Sequence, residues 1–139
     1  SVKNTPFDFT QPTRIGDRVD ADHPQIRFGR GYDHDFAIGD NSKVNGLSRA
    51  ASVRGDKSGI TMEVLTTEPS IQLYGGNFMQ GKNTFKTGAK DEHRTAFCLE
   101  TQHFPNSPNE PQFPSTILDP GKTYKSLSVY RFSIKGTQK

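Results

Sequence analysis

Residues 94–105, RTAFCLETQHFP, carry a single acid, Glu100. A lone carboxylate among small or polar neighbours can act as a general base where it faces a cleft. The run from 95 to 101 is rich in aromatic, β-branched and apolar residues and is followed by Pro105, which predicts a strand. Alternation along that strand puts Phe97, Leu99 and Thr101 on one face and Ala96, Cys98, Glu100 and Gln102 on the other. The first face suits a core. The second offers Glu100 to a cleft or to water, and an isolated glutamate is most often solvated. Gln72 and Tyr74, alternate residues of SIQLY, present an amide and a phenol on one strand face, groups suited to hydrogen bonding and covering a sugar.

Three further constellations carry weaker chemistry. Asp33-His34-Asp35 could bring two carboxylates together as metal ligands, although a polar loop entering a strand is the plainer reading. Glu100 and His103 have an E-x-x-H spacing that shares a face only on a helix, and Pro105 and the β-rich run argue against a helix there. Cys98, flanked by apolar residues, reads as a small buried hydrophobe rather than a nucleophile. The glycines at 29, 31, 75 and 76 lack the strand-then-helix context of a phosphate loop.

The elements that must position these groups are strands. Alternation predicts them from about Asp35 to Ile38, over Leu47–Arg54, over 59–67, over Ser70–Tyr74, over 95–101 and over 123–134. Residues 1–22 read as an extended or looped entry, 25–31 as a segment ending in a turn, 39–46 as a turn-rich loop, and 77–92 as an exposed loop. Prolines at 105, 108, 111 and 114 leave little room for regular structure over 104–114. The tail from 135 to 139 is expected to fray. No window has a convincing amphipathic helical period, and strands at short spacing with Gly or Pro between them predict an all-β sandwich in a single domain over 1–139.

Composition narrows the classes. The hydrophobic fraction is 30% and the mean hydropathy −0.77, low for a domain of this length, which fits a broad polar groove or a share in a larger core. Ten Phe and four Tyr spread along the chain argue against disorder. The net charge of +3 is scattered, with no basic run interleaved with aromatics, so nucleic acid is not indicated. No apolar run is long enough for a membrane-spanning helix, and one cysteine excludes an internal disulfide.

Several stretches together resemble one family. GYDHDF at 31–36 is similar to the GYDH segment of the galactose mutarotases, the aldose 1-epimerases. TEPSIQLYGGNF at 67–78 resembles their EP-x-[IV]-Q-[FL]-Y-x-GN-[FL] segment, and 94–114 resembles the segment around their catalytic glutamate. TPFDFTQP at 5–12 and the PG-x-x-Y run before the last strand match as well, all in family order. The resemblance implies a galactose-mutarotase-like β-sandwich with an open sugar groove. It implies interconversion of the α and β anomers of aldohexoses such as galactose and glucose, with neither metal nor organic cofactor. Glu100 would be the general base, and Asp33 and Gln72 would hydrogen-bond sugar hydroxyls. Partial burial of Glu100 beside apolar strand residues is expected, since a base works best when tuned toward the working pH.

The family's general-acid histidine lies upstream of every matching segment, and none of His23, His34, His93 or His103 has that motif's context. The chain therefore resembles the C-terminal part of a mutarotase. The N-terminal part is expected on a second polypeptide, or on residues cleaved from or missing before Ser1, with little activity from this chain alone. The alternative is a non-catalytic carbohydrate-binding β-sandwich that does not require Glu100. A hexose-phosphate epimerase would call for clustered Arg or Lys near the groove, which this chain does not show.

Overall fold

Strand follows strand through most of this chain because alternating β-branched and polar residues are punctuated by Gly, Pro and Asn. In the computed structural model, which describes residues 1–39 and 43–134, the strands are β1 (Asp33–Ala37), β2 (Lys43–Val44), β3 (Leu47–Arg54), β4 (Ile60–Thr66), β5 (Ser70–Tyr74), β6 (Cys98–Gln102) and β7 (Ser128–Ile134). One short helix, α1 (Pro24–Gly29), and 3₁₀ turns at Ile15–Asp17 and Ser107–Asn109 complete the regular structure. The strands form a three-stranded sheet in the order β1-β5-β6 and a four-stranded sheet in the order β2-β3-β4-β7. The all-β expectation holds. Residues 40–42 of the expected 39–46 loop and the tail expected to fray lie outside the described residues.

The helix corrects the sequence reading. The ring of His23 caps it by accepting from the amide of Gln25, Pro24 occupies its first turn, and Arg30 ends it in the left-handed region. Six residues are too few to display a helical period, and histidine is not among the usual capping residues. The strand at Glu100 also starts later than expected, at Cys98. Thr95 is instead held in a turn, its amide and hydroxyl both donating to the carbonyl of Glu92 at 3.1 and 2.8 Å, and Arg94 before it takes a positive φ of 57°. Its guanidinium is tied to Asp20 at 2.8 and 3.0 Å and to the carbonyl of Arg30 at 2.8 Å. β7 starts at Ser128 rather than 123, because Tyr124 leaves the ladder to donate to Glu68.

The chain divides into two compact units. The first comprises Ser1–His34 and Leu73–Leu99, the second Asp35–Gln72 and the chain from Glu100 onward. The first is centred on Tyr32, which is fully buried with its hydroxyl donating to the carbonyl of Pro6 at 2.9 Å. Phe7 and Phe9 meet its ring edge-on. Burial of Ile26 and Leu73 adds to that core, each apolar side chain contributing roughly 1.5–3 kcal/mol. Asn77 is buried and bonds two carbonyls, those of Gly29 at 2.9 Å and Tyr32 at 2.7 Å.

The second unit holds the four-stranded sheet, antiparallel throughout. The register sets Val53, Met62 and Phe132 in one row and Ile60 against Ile134 in another, which gives the sheet an apolar face. Glu63, Arg131 and Arg49 share the other face. There the carboxylate of Glu63 accepts from Arg131 at 2.9 Å and lies 3.4 Å from Arg49. Arg49 reaches that face because the β3–β4 register shifts between Arg49 and Ala51, leaving Ala50 as an extra residue. Val64 is buried on the apolar face, but Ile60, Phe132 and Ile134 are 43%, 65% and 71% exposed, so one end of that face is uncovered. Thr66 Oγ1, Ser128 Oγ and Thr101 Oγ1 stand 2.9 and 2.7 Å apart in sequence, a hydroxyl chain from β4 through β7 to β6. Among the described residues, no helix is long and apolar enough to cross a membrane.

Candidate active site

Pro69 and the Gly75-Gly76 pair bound β5, and its alternation buries Ile71 and Leu73 while leaving Gln72 half-buried on the other side. β5 and β6 are neighbours of equal length. The hydroxyl of Ser70, the first residue of β5, donates to the carbonyl of Gln102, the last residue of β6, at 2.9 Å. First therefore meets last: the strands run antiparallel, and Gln72 and Glu100, the middle residues, stand opposite one another. Directly opposed residues of an antiparallel pair point to the same face. The same holds on the other side of β5, where the amide of Ile38, just past β1, donates to the carbonyl of Pro69, just before β5, at 2.9 Å. That sets Asp35, the middle residue of β1, opposite Gln72. Asp35, Gln72 and Glu100 thus form the central row of the sheet, all within the second unit.

Glu100 is exposed, in place of the partial burial expected, and Leu99 and Thr101 on the other face are half-buried, as the alternation requires. Phe97 lies before the strand and is 39% exposed, so the expected core face begins only at Leu99. Among the described residues, none bonds the carboxylate of Glu100. Asp33 belongs to the first unit, half-buried at the start of β1 beside Tyr32. The ring of His34 is held below the usual histidine pKa by burial, against which the charge of Asp33 works in the opposite sense.

Two further residues lie on the face of Glu100: Gln102, which alternation placed there, and Asp35, which the sequence offered only as a metal ligand. Gln102 Nε2 donates to Asp35 Oδ1 at 3.1 Å, across the position of Ser70, which is fully buried. Sequence spacing places Gln102 with Glu100, but only the order of strands in the sheet brings Asp35 to it.

His103 does not join Glu100. Its Nδ1 lies 2.9 Å from Oε2 of Glu68, whose other oxygen accepts from the Tyr124 hydroxyl. These residues line an open cavity of about 460 Å³ with Thr67 and Lys125. Burial works to raise the pKa of Glu68, but hydrogen bonds from Ser126 and Tyr124 and the neighbouring His103 outweigh it and hold the carboxyl below its ordinary value. Cys98 is exposed, against the expectation of a small buried hydrophobe. Among the described residues, no cluster of three or more His, Cys, Asp or Glu side chains could hold a metal.

The family model for aldose 1-epimerase matches residues 1–131. The galactose mutarotase of Mus musculus is 37% identical over 133 residues, covering 96% of this chain and 36% of that protein. The aldose 1-epimerase of Escherichia coli (strain K12) is 36% identical over 134 residues, covering 95% of this chain and 38% of that protein. A crystal structure of a GalM/aldose epimerase homologue from C. elegans superposes with a TM-score of 0.72 at 26% identity, covering 98% of this chain and 39% of that one. The chain thus spans under two-fifths of the length of these relatives, and its strands are those of a galactose-mutarotase-like β-sandwich. On sequence and fold together, it belongs to the aldose 1-epimerase family.

Proposed function

We propose that this chain carries the base-bearing part of an aldose 1-epimerase site, which interconverts the α and β anomers of aldohexoses such as galactose and glucose. Glu100 takes the proton of the anomeric hydroxyl. The bond between the anomeric carbon and the ring oxygen breaks, the carbonyl forms, and an acid protonates the departing ring oxygen. The aldehyde end turns about its bond to the next carbon, and the same steps in reverse close the ring on its other face. The carbon–oxygen bond that breaks is re-formed and the protons exchanged are returned, so the reaction as written has no net oxidation or reduction. Gln72 and Asp33 hydrogen-bond sugar hydroxyls. The observation that carries this reading is the pairing of Gln72 and Glu100 across β5 and β6 on one face, in a member of this family. An exposed carboxylate gains basicity and aim only when a bound sugar and the rest of the fold exclude water from it.

The general acid, a histidine in this reading, comes from the N-terminal part of the fold, carried by a further stretch of polypeptide. The uncovered apolar end of the four-stranded sheet, with Ile60, Phe132 and Ile134 exposed, supports such a partner. The test is polarimetry on freshly dissolved α-D-galactose. The chain alone is expected to leave the buffer rate nearly unchanged, and the chain joined by its partner to accelerate it. Glu100→Gln should then abolish the acceleration while leaving sugar binding measurable by calorimetry. Acceleration that survives Glu100→Gln would overturn the assignment. Sugar binding with no acceleration in the completed protein would make the chain a carbohydrate-binding module.

A further inference from the structure

Glu100 has an unusual situation for a base. Its side chain is exposed and no described residue bonds it, and its strand is the last in the order β1-β5-β6. Its aim therefore depends on how firmly the backbone of β6 is held. Besides the bonds that pair β6 with β5, Gln102, two residues further on and on the same face, adds two side-chain ties between β6 and the rest of its sheet. Its carbonyl accepts from the fully buried Ser70 of β5, and its side-chain amide reaches over Ser70 to Asp35 of β1. Asp35 also stands in the row of Gln72 and Glu100, so one acceptor serves the strand on the far side of β5. A side chain that spans the middle strand holds both outer strands at a set separation, and the central row is what lies between them.

We propose that Gln102, anchored by Asp35, is a positioning residue for Glu100: the bond between them sets the distance from the base to the sugar held by Gln72. This rests on the reading of Glu100 as base. The bond needs an acceptor at 35 and a donor at 102, and it does not need the charge of Asp35. Misplacing a catalytic group by about 1 Å costs up to ~100-fold in rate, whereas hydroxyl contacts made elsewhere on the sugar are unaffected.

The experiment is mutarotation kinetics on the protein together with the polypeptide that completes its fold. Gln102→Ala is expected to lower kcat about ten- to hundredfold with KM within about twofold. Asp35→Ala should match it, and the double variant should be no slower than either single one, because both remove the same bond. Asp35→Asn, which keeps an acceptor, should restore kcat to within about threefold. Thermal unfolding by circular dichroism identifies any variant that fails to fold, and Asp35→Asn keeps the test decisive if an alanine variant does. Unchanged kcat in Gln102→Ala, additive losses in the double variant, or equal losses in Asp35→Asn and Asp35→Ala would each overturn the proposal. Loss of activity in Glu100→Gln beside full activity in Gln102→Ala sinks the positioning role alone. Full activity in Glu100→Gln sinks both.

Discussion

Nδ1 of His103 stands 2.9 Å from Oε2 of Glu68, whose side chain is only 4% exposed. A buried carboxylate is stable only while its partners remain, and here they are a histidine, a tyrosine and Ser126. His103→Ala should destabilise the chain by about 1–3 kcal/mol, measured by urea unfolding at neutral pH. Glu68 has a depressed folded pKa, so its contribution is fully present above the unfolded value of roughly 4.3 and is lost as pH falls through the lower folded value. The stability gap between the parent chain and Glu68→Gln should therefore close below about pH 4. A gap that widens on acidification would contradict the assigned direction.

Asn77 joins the carbonyls of Gly29 and Tyr32, and the amide of Gly75 shares the second of these at 2.8 Å. Asn77→Ala removes both side-chain bonds in a buried setting, and a loss of about 2–3 kcal/mol is expected. Asn77→Asp should cost more, since it turns an acceptor toward two acceptors. The comparison of the two unfolding midpoints decides whether donation, rather than shape, is what this position supplies.

Gly76 has φ of +70°, and a Cβ there would stand 2.6 Å from the carbonyl oxygen of Ala96 and 2.8 Å from Sδ of Met79. The methionine can swing away, but the backbone oxygen cannot. Gly76→Ala should lose more than the roughly 1–2 kcal/mol of a left-handed alanine, because strain and collision add. An unfolding midpoint equal to that of the parent would show that the loop from Asn77 relaxes freely.

The uncovered end of the four-stranded sheet gives a prediction in solution. Ile60, Phe132 and Ile134 form a contiguous apolar strip, and such strips associate. Sedimentation velocity should show concentration-dependent association of the chain alone, reduced in Phe132→Ser. Stability of the isolated chain should change little, by about 0.5 kcal/mol or less for an exposed site. A monodisperse parent chain would remove the argument that this strip receives a partner.

Sequence alternation located β3 and β5 to the residue, because each is flanked by Gly, Pro or Asn and buries one face. The strand of Glu100 was legible in kind but not in its start, since Thr95 is drawn into a turn with Glu92 that alternation does not register. The N-terminal extent of the last strand was misread for a similar reason: Tyr124 has a strand-forming side chain, but Glu68 captures it. Residue type and spacing singled out Glu100 and Gln72, resemblance to the family supplied their roles, and their facing positions agree with the strand arrangement. Alternation put Gln102 on the face of Glu100, but it ranks residues within one strand, and the meeting of Gln102 with Asp35 depends on β5 lying between β1 and β6.

The extra residue in β3 has a consequence for chain length. Because Ala50 has no cross-strand partner, its deletion would straighten the strand and leave every other pairing intact. Arg49 would stay against Glu63 and Val53 beside Met62. Deleting Val53 would instead remove the apolar partner of Met62 and bring a polar neighbour, Ser52 or Arg54, opposite it. Length in this strand is negotiable at the Ala50-Ala51 pair, so insertions and deletions among homologues in this strand should collect there.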